Sequence, residues 1–144
     1  MTPDQILSKL PYIEPFLFVD KIDHIDDLGA AGTFHFNKKL WFYKGHFKDN
    51  PVTPGVILTE CMAQIGIVSL GIYLLEQEPD LDKTRKLAMS SSEVDFYLPV
   101  YPGEEVKVIS KKIYFRFNKL KCETEMFNAE GKLVCRGKIA GMVY

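Results

Sequence analysis

The chain has 144 residues, 47% hydrophobic and 26% charged, with a formal net charge of -1. That is enough apolar material for the core of one globular domain, and too little basic charge for a general nucleic-acid binder, which must neutralise phosphates. Three cysteines (Cys61, Cys122 and Cys135) without CxxC spacing point to a reducing compartment and argue against a structural metal site.

The opening MTPDQILSKL has no basic region followed by an apolar one, so no signal peptide is expected. It reads as a short helix: Thr2 offers a cap, Pro3 sits in the first turn, and Ile6, Leu7 and Leu10 follow at helical spacing. Pro11 and Pro15 end it. FLFVDKIDHID and AAGTFHFNKK are extended segments separated by the turn-prone Asp26, Asp27, Leu28 and Gly29. A loop rich in turn formers then carries His46. From Thr53 to about Glu78 the spacing predicts a helix, with Thr53 as cap, Pro54 at its first position, and Pro79 and Asp80 as its stop. This helix is apolar nearly all round, which belongs in the middle of a domain. It carries Glu60 and Gln64, and a bilayer-spanning helix rarely holds an unpaired carboxylate. The protein is therefore expected to be soluble and cytoplasmic.

The remainder is β-rich. KLAMSSSEVDFYL is extended, and EEVKVISKKIYFRF places Val106, Val108, Ile113, Phe115 and Phe117 on one face. LKCETEMF and KLVCRGKIAGMVY flank Asn128, Ala129, Glu130 and Gly131, a hairpin signal. The lysines and arginine between Lys107 and Lys121 read as a solvated strand face, with a docking patch for an acidic partner as the other option. One long buried helix with antiparallel strands around it gives an α+β class, a single sheet curved about the helix.

Three residues near the helix start carry possible chemistry. The helix start at Gly55 presents free N–H groups and the positive end of the helix dipole, and glycine lets a ligand oxygen approach closely. That suits a carbonyl oxygen gaining negative charge, although an ordinary helix start has the same features. Glu60, two turns after Thr53, can point to the same mouth, with Gln64 four residues on to orient it. A carboxylate in an apolar helix has its pKa raised by desolvation, as a general acid requires. The other readings of Glu60 are a residue paired with a lysine or one at a surface break in the helix. His46, between Gly45 and Phe47, is a candidate base. His24 and His35 read as structural or surface residues, and Cys61 as core.

The stretch GHFKDNPVTPGVILTECMAQ resembles the signature of the 3-hydroxyacyl-[acyl-carrier-protein] dehydratases, hot-dog-fold enzymes of the FabZ and FabA type. The match rests on Gly45, His46, Phe47, Pro51, Pro54, Gly55, Val56, Glu60, Met62, Ala63 and Gln64. Glutamate at position 60 is similar to the FabZ branch. LPYIEPFLFVDKI, LPVYPGEEV and GKLVCRGKIAGMV extend the resemblance over nearly the whole chain. It implies a single hot-dog domain over residues 1–144, an antiparallel sheet wrapped around a long central helix. The implied reaction is elimination of water from a 3-hydroxyacyl thioester on acyl carrier protein, giving the trans-2-enoyl product. His46 would take the C2 proton, Gly55 N–H would bind the thioester oxygen, Glu60 would protonate the leaving hydroxyl, and Gln64 would hold Glu60. The resemblance further implies a homodimer with the site at its interface, or a trimer of such dimers. It implies an apolar acyl tunnel near the helix, and no metal or organic cofactor beyond the substrate's own phosphopantetheine arm.

The chain departs from the family pattern in four places. Tyr12 and Ile13 replace a usual His-Arg, and Lys48, Asp49 and Asn50 replace a Pro-Gly-basic triplet. Asp95, Phe96, Tyr97 and Leu98 stand where many FabZ enzymes are basic, and Thr53 stands where an apolar residue is usual. These leave open whether the route is fatty-acid synthesis or a specialised polyene, pigment or polyketide pathway. Two alternatives stay beside the dehydratase: a hot-dog acyl thioesterase, and a non-catalytic acyl-carrier-binding partner subunit.

Overall fold

The structure, a computed structural model, describes residues 1–78 and 84–144. Helix α1 spans Pro3–Lys9. Thr2 caps it in a reciprocal capping box: Gln5 N–H donates to Thr2 Oγ1 at 3.2 Å, and Thr2 N–H to Gln5 Oε1 at 2.9 Å. Six antiparallel strands follow: β1 Lys21–Asp26, β2 Gly29–His35, β3 Leu87–Phe96, β4 Glu105–Arg116, β5 Lys119–Phe127 and β6 Leu133–Val143. They form one sheet in the order β1-β2-β4-β5-β6-β3. The turn between β1 and β2 falls where the sequence places it. Asp26 Oδ1 accepts from Leu28 and Gly29 N–H at 2.8 and 3.1 Å, closing the chain on itself.

The sheet wraps a central helix that runs in three parts: α2 Gly55–Ala63, a π-helical turn Gln64–Val68, and α3 Ser69–Glu76. Every residue from Cys61 to Leu70 is buried, as expected for a helix without a polar face. By length and composition Gly55–Glu76 could cross a bilayer, but 72% of its most apolar window is buried inside the protein. The wide turn has visible causes. Ser69 places both its N–H and its hydroxyl on the Gln64 carbonyl, the hydroxyl at 2.9 Å, and Ser110 Oγ of β4 donates to the Gly66 carbonyl at 3.1 Å. One serine from the helix and one from the sheet thus take up backbone acceptors of the wide turn.

The predicted stop at Pro79 and Asp80 lies outside the described residues. Three other expectations need correction. The helix starts at Gly55 with Pro54 as its cap residue, and Thr53 does not cap it, because Thr53 Oγ1 is bonded to Tyr43 Oη at 2.6 Å. The extended segment beginning at Phe16 joins the sheet only from Lys21. Before that, Phe18 N–H and the Phe16 carbonyl are taken by the Gln64 side chain. Lastly, Ile113 and Phe117 do not continue the inward face of Val106 and Val108, whereas Phe115, opposite the buried Leu120, packs against the core. The β4–β5 register shifts between Lys112 and Tyr114. Phe117 and Asn118 then adopt positive φ in the hairpin turn, leaving Phe117 90% exposed. The charged stretch pairs Lys111 with Glu123 across β4 and β5, a solvated strand face.

Helix and sheet approach closely at Gly66. A Cβ there would lie 2.8 Å from Ser110 Cβ and 3.0 Å from Thr124 Cγ2. Gly66→Ala is expected to lower stability by about 1–3 kcal/mol through overpacking. Urea unfolding that shows Gly66→Ala as stable as the parent would contradict this contact.

Candidate active site

The His46 loop is built on backbone bonds. A 3-10 turn, Trp41–Lys44, ends with the Phe42 carbonyl accepting from Gly45 N–H at 3.2 Å and His46 N–H at 3.1 Å. Val52 N–H then donates to the His46 carbonyl at 2.8 Å. The imidazole Nδ1 lies 2.8 Å from the Val52 carbonyl oxygen. A carbonyl only accepts, so Nδ1 carries a proton, and in the neutral ring the lone pair is therefore on Nε2. His46 is half-buried, and the exposed Phe47 ring stacks on it at 3.9 Å between centroids. The peptide bond joining the two residues is cis.

Two residues beyond Val52 the helix begins. No side chain caps it, and its first carbonyl bonds run from Ile57 and Leu58 N–H to Pro54. The N–H groups of Gly55 and Val56 therefore have no acceptor within the helix, and they stand at the positive end of its dipole. Glycine at position 55 also answers to packing. A Cβ there would meet Cζ of Phe96 at 3.2 Å, where β3 ends against the helix start.

Glu60 is one turn beyond Val56, which is 77% exposed, so both occupy the open face of α2. With Thr53 outside the helix, Val56 is the residue that shares a face with the acid. Gln64 Nε2 donates to Glu60 Oε2 at 3.2 Å and to the Phe16 carbonyl at 3.0 Å, while Gln64 Oε1 accepts from Phe18 N–H at 2.8 Å. The amide is thereby fixed in one orientation. Burial raises the Glu60 carboxyl above the usual carboxylate range, with the Gln64 bond opposing it. Glu60 forms no ion pair with a described lysine or arginine, which removes the lysine-paired reading among the described residues. No hydrogen bond joins His46 to Glu60 within the chain.

Tyr12 was not singled out as a site residue, yet it belongs to these surroundings. Burial, then the charges of Glu60 and Tyr144, push its phenol up to about 12. The only sequence signal was its departure from the family's histidine. His24 pairs with Asp26 at 2.8 Å on the surface, and His35 Nε2 lies 3.0 Å from the Gly103 carbonyl. Cys61 is fully buried, with Sγ 3.4 Å from the Phe18 carbonyl.

The raised Glu60 carboxyl links stability to pH. The folded state holds this proton more tightly than the unfolded chain, so ionised Glu60 costs stability. That cost grows as pH rises from about 4, the ordinary carboxyl value, through the raised one. Glu60→Gln, which keeps an acceptor for Gln64, is expected to raise Tm at neutral pH, with the gain shrinking toward pH ~4. A pH series of thermal melts checks this, and a gain that does not depend on pH would contradict it.

Comparison with solved structures finds the same fold at low identity. The dehydratase heterocomplex ApeI:P from Xenorhabdus doucetiae aligns over 99% of this chain and 91% of its own, with TM-score 0.78 and 14% identity. A thioesterase mutant from Pseudomonas aeruginosa aligns over 99% and 94%, with TM-score 0.69 and 11% identity. A hypothetical thioesterase with coenzyme A from Streptococcus pneumoniae TIGR4 aligns over 85% and 84%, with TM-score 0.62 and 12% identity. At these identities the likeness is one of fold, the hot-dog fold. The family model described as the FabA-like domain matches residues 10–142; with nearly the whole chain covered, the protein belongs to the FabA-like domain family.

Proposed function

We propose that the protein is a lyase that eliminates water from 3-hydroxyacyl thioesters carried on the phosphopantetheine arm of acyl carrier protein. The product is the trans-2-enoyl thioester, and the setting is fatty-acid or related specialised biosynthesis in the cytoplasm. One observation carries this reading: the Val52 carbonyl holds His46 Nδ1–H, so that the neutral ring presents its lone pair at Nε2, while Glu60 is a desolvated carboxyl oriented by Gln64. Base and acid in complementary protonation states are what a proton-in, proton-out elimination needs. Nε2 of His46 takes the C2 proton, and the charge passes to the thioester oxygen, which the N–H of Gly55 stabilises. The C2–H electrons then form the C2=C3 bond as the C3–O bond breaks, and Glu60 protonates the departing hydroxyl to give water. The steps require no metal or further cofactor.

The two groups are proposed to meet across a homodimer. Strand β3 is a sheet edge of 10 residues, with Met89 42% and Phe96 48% exposed along it, and Phe96 ends it against the helix start at Gly55. A long exposed edge of this kind calls for a partner, and a second copy supplies one. This arrangement is expected to sediment as a dimer that Met89→Asp together with Val56→Asp dissociates. A monomeric parent protein would contradict it.

The thioesterase neighbours favour one competing reading, in which Glu60 activates water for hydrolysis of the same thioester. A 3-hydroxyacyl-carrier-protein assay separates the two. Dehydration gives a carrier-bound product lighter by one water, and His46→Ala is expected to lower kcat by about 10²–10⁴, with Glu60→Gln similarly impaired. Release of free carrier thiol would establish the thioesterase instead. Carrier binding with neither product would indicate a non-catalytic partner subunit.

A further inference from the structure

We propose that the buried Tyr43–Thr53 hydroxyl pair is the positioning device that holds the His46 imidazole in a single tautomer. This proposal takes His46 as the base, as in the function proposed above. The acceptor that sets the ring is the Val52 carbonyl, 2.8 Å from Nδ1, so whatever fixes that carbonyl fixes the base. The next residue, Thr53, is held twice. Its N–H donates to the Val100 carbonyl at 2.9 Å, and its Oγ1 lies 2.6 Å from Tyr43 Oη. Tyr43 and Thr53 are 7% and 5% exposed, so water competes little for either hydroxyl.

Tyr43 also reaches the other end of the loop. Its neighbour Phe42 supplies the carbonyl that receives His46 N–H at 3.1 Å, and the two aromatic rings pack edge to face at 4.6 Å. The bonds Phe42–His46, His46–Val52 and Thr53–Tyr43 thus close the base of the loop. Among the described residues, the backbone of the exposed tip has only the mutual bonds between Phe47 and Asn50, at 2.9 and 3.1 Å. Without the hydroxyl pair, Val100 and the His46 backbone remain as tethers, but the Val52–Thr53 peptide loses its side-chain anchor. An apolar residue at position 53 would fill the space and could not make this bond.

The test uses Thr53→Val, Tyr43→Phe, Thr53→Ser and the double variant Tyr43→Phe/Thr53→Val. In the parent protein, ¹⁵N NMR of His46 is expected to show one neutral tautomer, protonated at Nδ1. Each single removal should give a mixture of tautomers and lower kcat about 3- to 10-fold, the worth of one hydrogen bond, with KM little changed. Thr53→Ser should restore both. In the double variant no buried hydroxyl is orphaned, so thermal stability should recover relative to the singles, while the tautomer mixture persists. Folded Thr53→Val and Tyr43→Phe with a single tautomer would overturn the proposal, as would recovery of one tautomer in the double variant. Because the NMR readout needs no turnover, a parent protein without dehydratase activity but with the expected tautomer response would refute the proposed function alone.

Discussion

The side-chain amide of Gln64 is fully buried and bonded through both of its ends, to the backbone of Phe16 and Phe18 and to the Glu60 carboxylate. An amide buried without partners costs roughly 1–3 kcal/mol, so the segment from Phe16 to Phe18 must lie where it can satisfy Gln64. That requirement places the N-terminal segment against the central helix and keeps Phe16–Asp20 out of strand β1. It brings Tyr12 into the surroundings of Glu60, and it orients the acid. One polar residue inside an apolar helix therefore settles both a piece of topology and the aim of a candidate catalytic group. Cys61, whose thiol lies against the Phe18 carbonyl, adds to the same junction.

The two halves of the site are held by different means. Glu60 is oriented by a side chain on a rigid buried helix, and its protonation is set by burial. His46 sits on a loop, and its tautomer is set by a backbone carbonyl. A carbonyl cannot donate, so it dictates a single outcome at the ring, whereas a hydroxyl or carboxylic acid would have allowed two. Gly55 lies between them, where the loop that ends at Pro54 becomes helix. Phe96, which an added Cβ at Gly55 would meet at 3.2 Å, ties this helix start to the end of the exposed edge strand β3. The proposed thioester-oxygen site is thus joined through Phe96 to the edge strand proposed to meet a second copy.

Much of this was legible in the sequence because it depends on periodicity and local chemistry. The all-round apolar run gave the buried helix, alternation gave the strands, and Asp26–Gly29 and Asn128–Gly131 gave the turns. The candidate residues His46, Gly55, Glu60 and Gln64 were visible as a cluster of unusual types within one stretch. What escaped depends on contacts distant in the chain. Thr53 looks like a cap because threonine before proline usually is one, and only the fold brings Tyr43 to claim its hydroxyl. Phe16–Asp20 looks like strand because its backbone donors have no visible competitor until Gln64 arrives 46 residues later. Alternation through Ile113 and Phe117 misleads because a bulge resets the period without leaving a residue-type mark.

The departures from the family pattern cluster in space more than in sequence. Tyr12 stands beside Glu60, Thr53 anchors the carbonyl that sets His46, and Phe96 crowds Gly55, so three of the four altered places touch the surroundings of a candidate site group. At Tyr12 and Thr53 the change swaps one kind of constraint for another. A phenol whose proton is held up to about 12 stays neutral at any physiological pH. It therefore brings no positive charge toward Glu60, where a histidine or arginine would pull the carboxyl toward ionisation. A neutral neighbour preserves the raised carboxyl that a general acid requires. The substitution at Tyr12 therefore sets no cation against the rise that burial imposes on the Glu60 carboxyl.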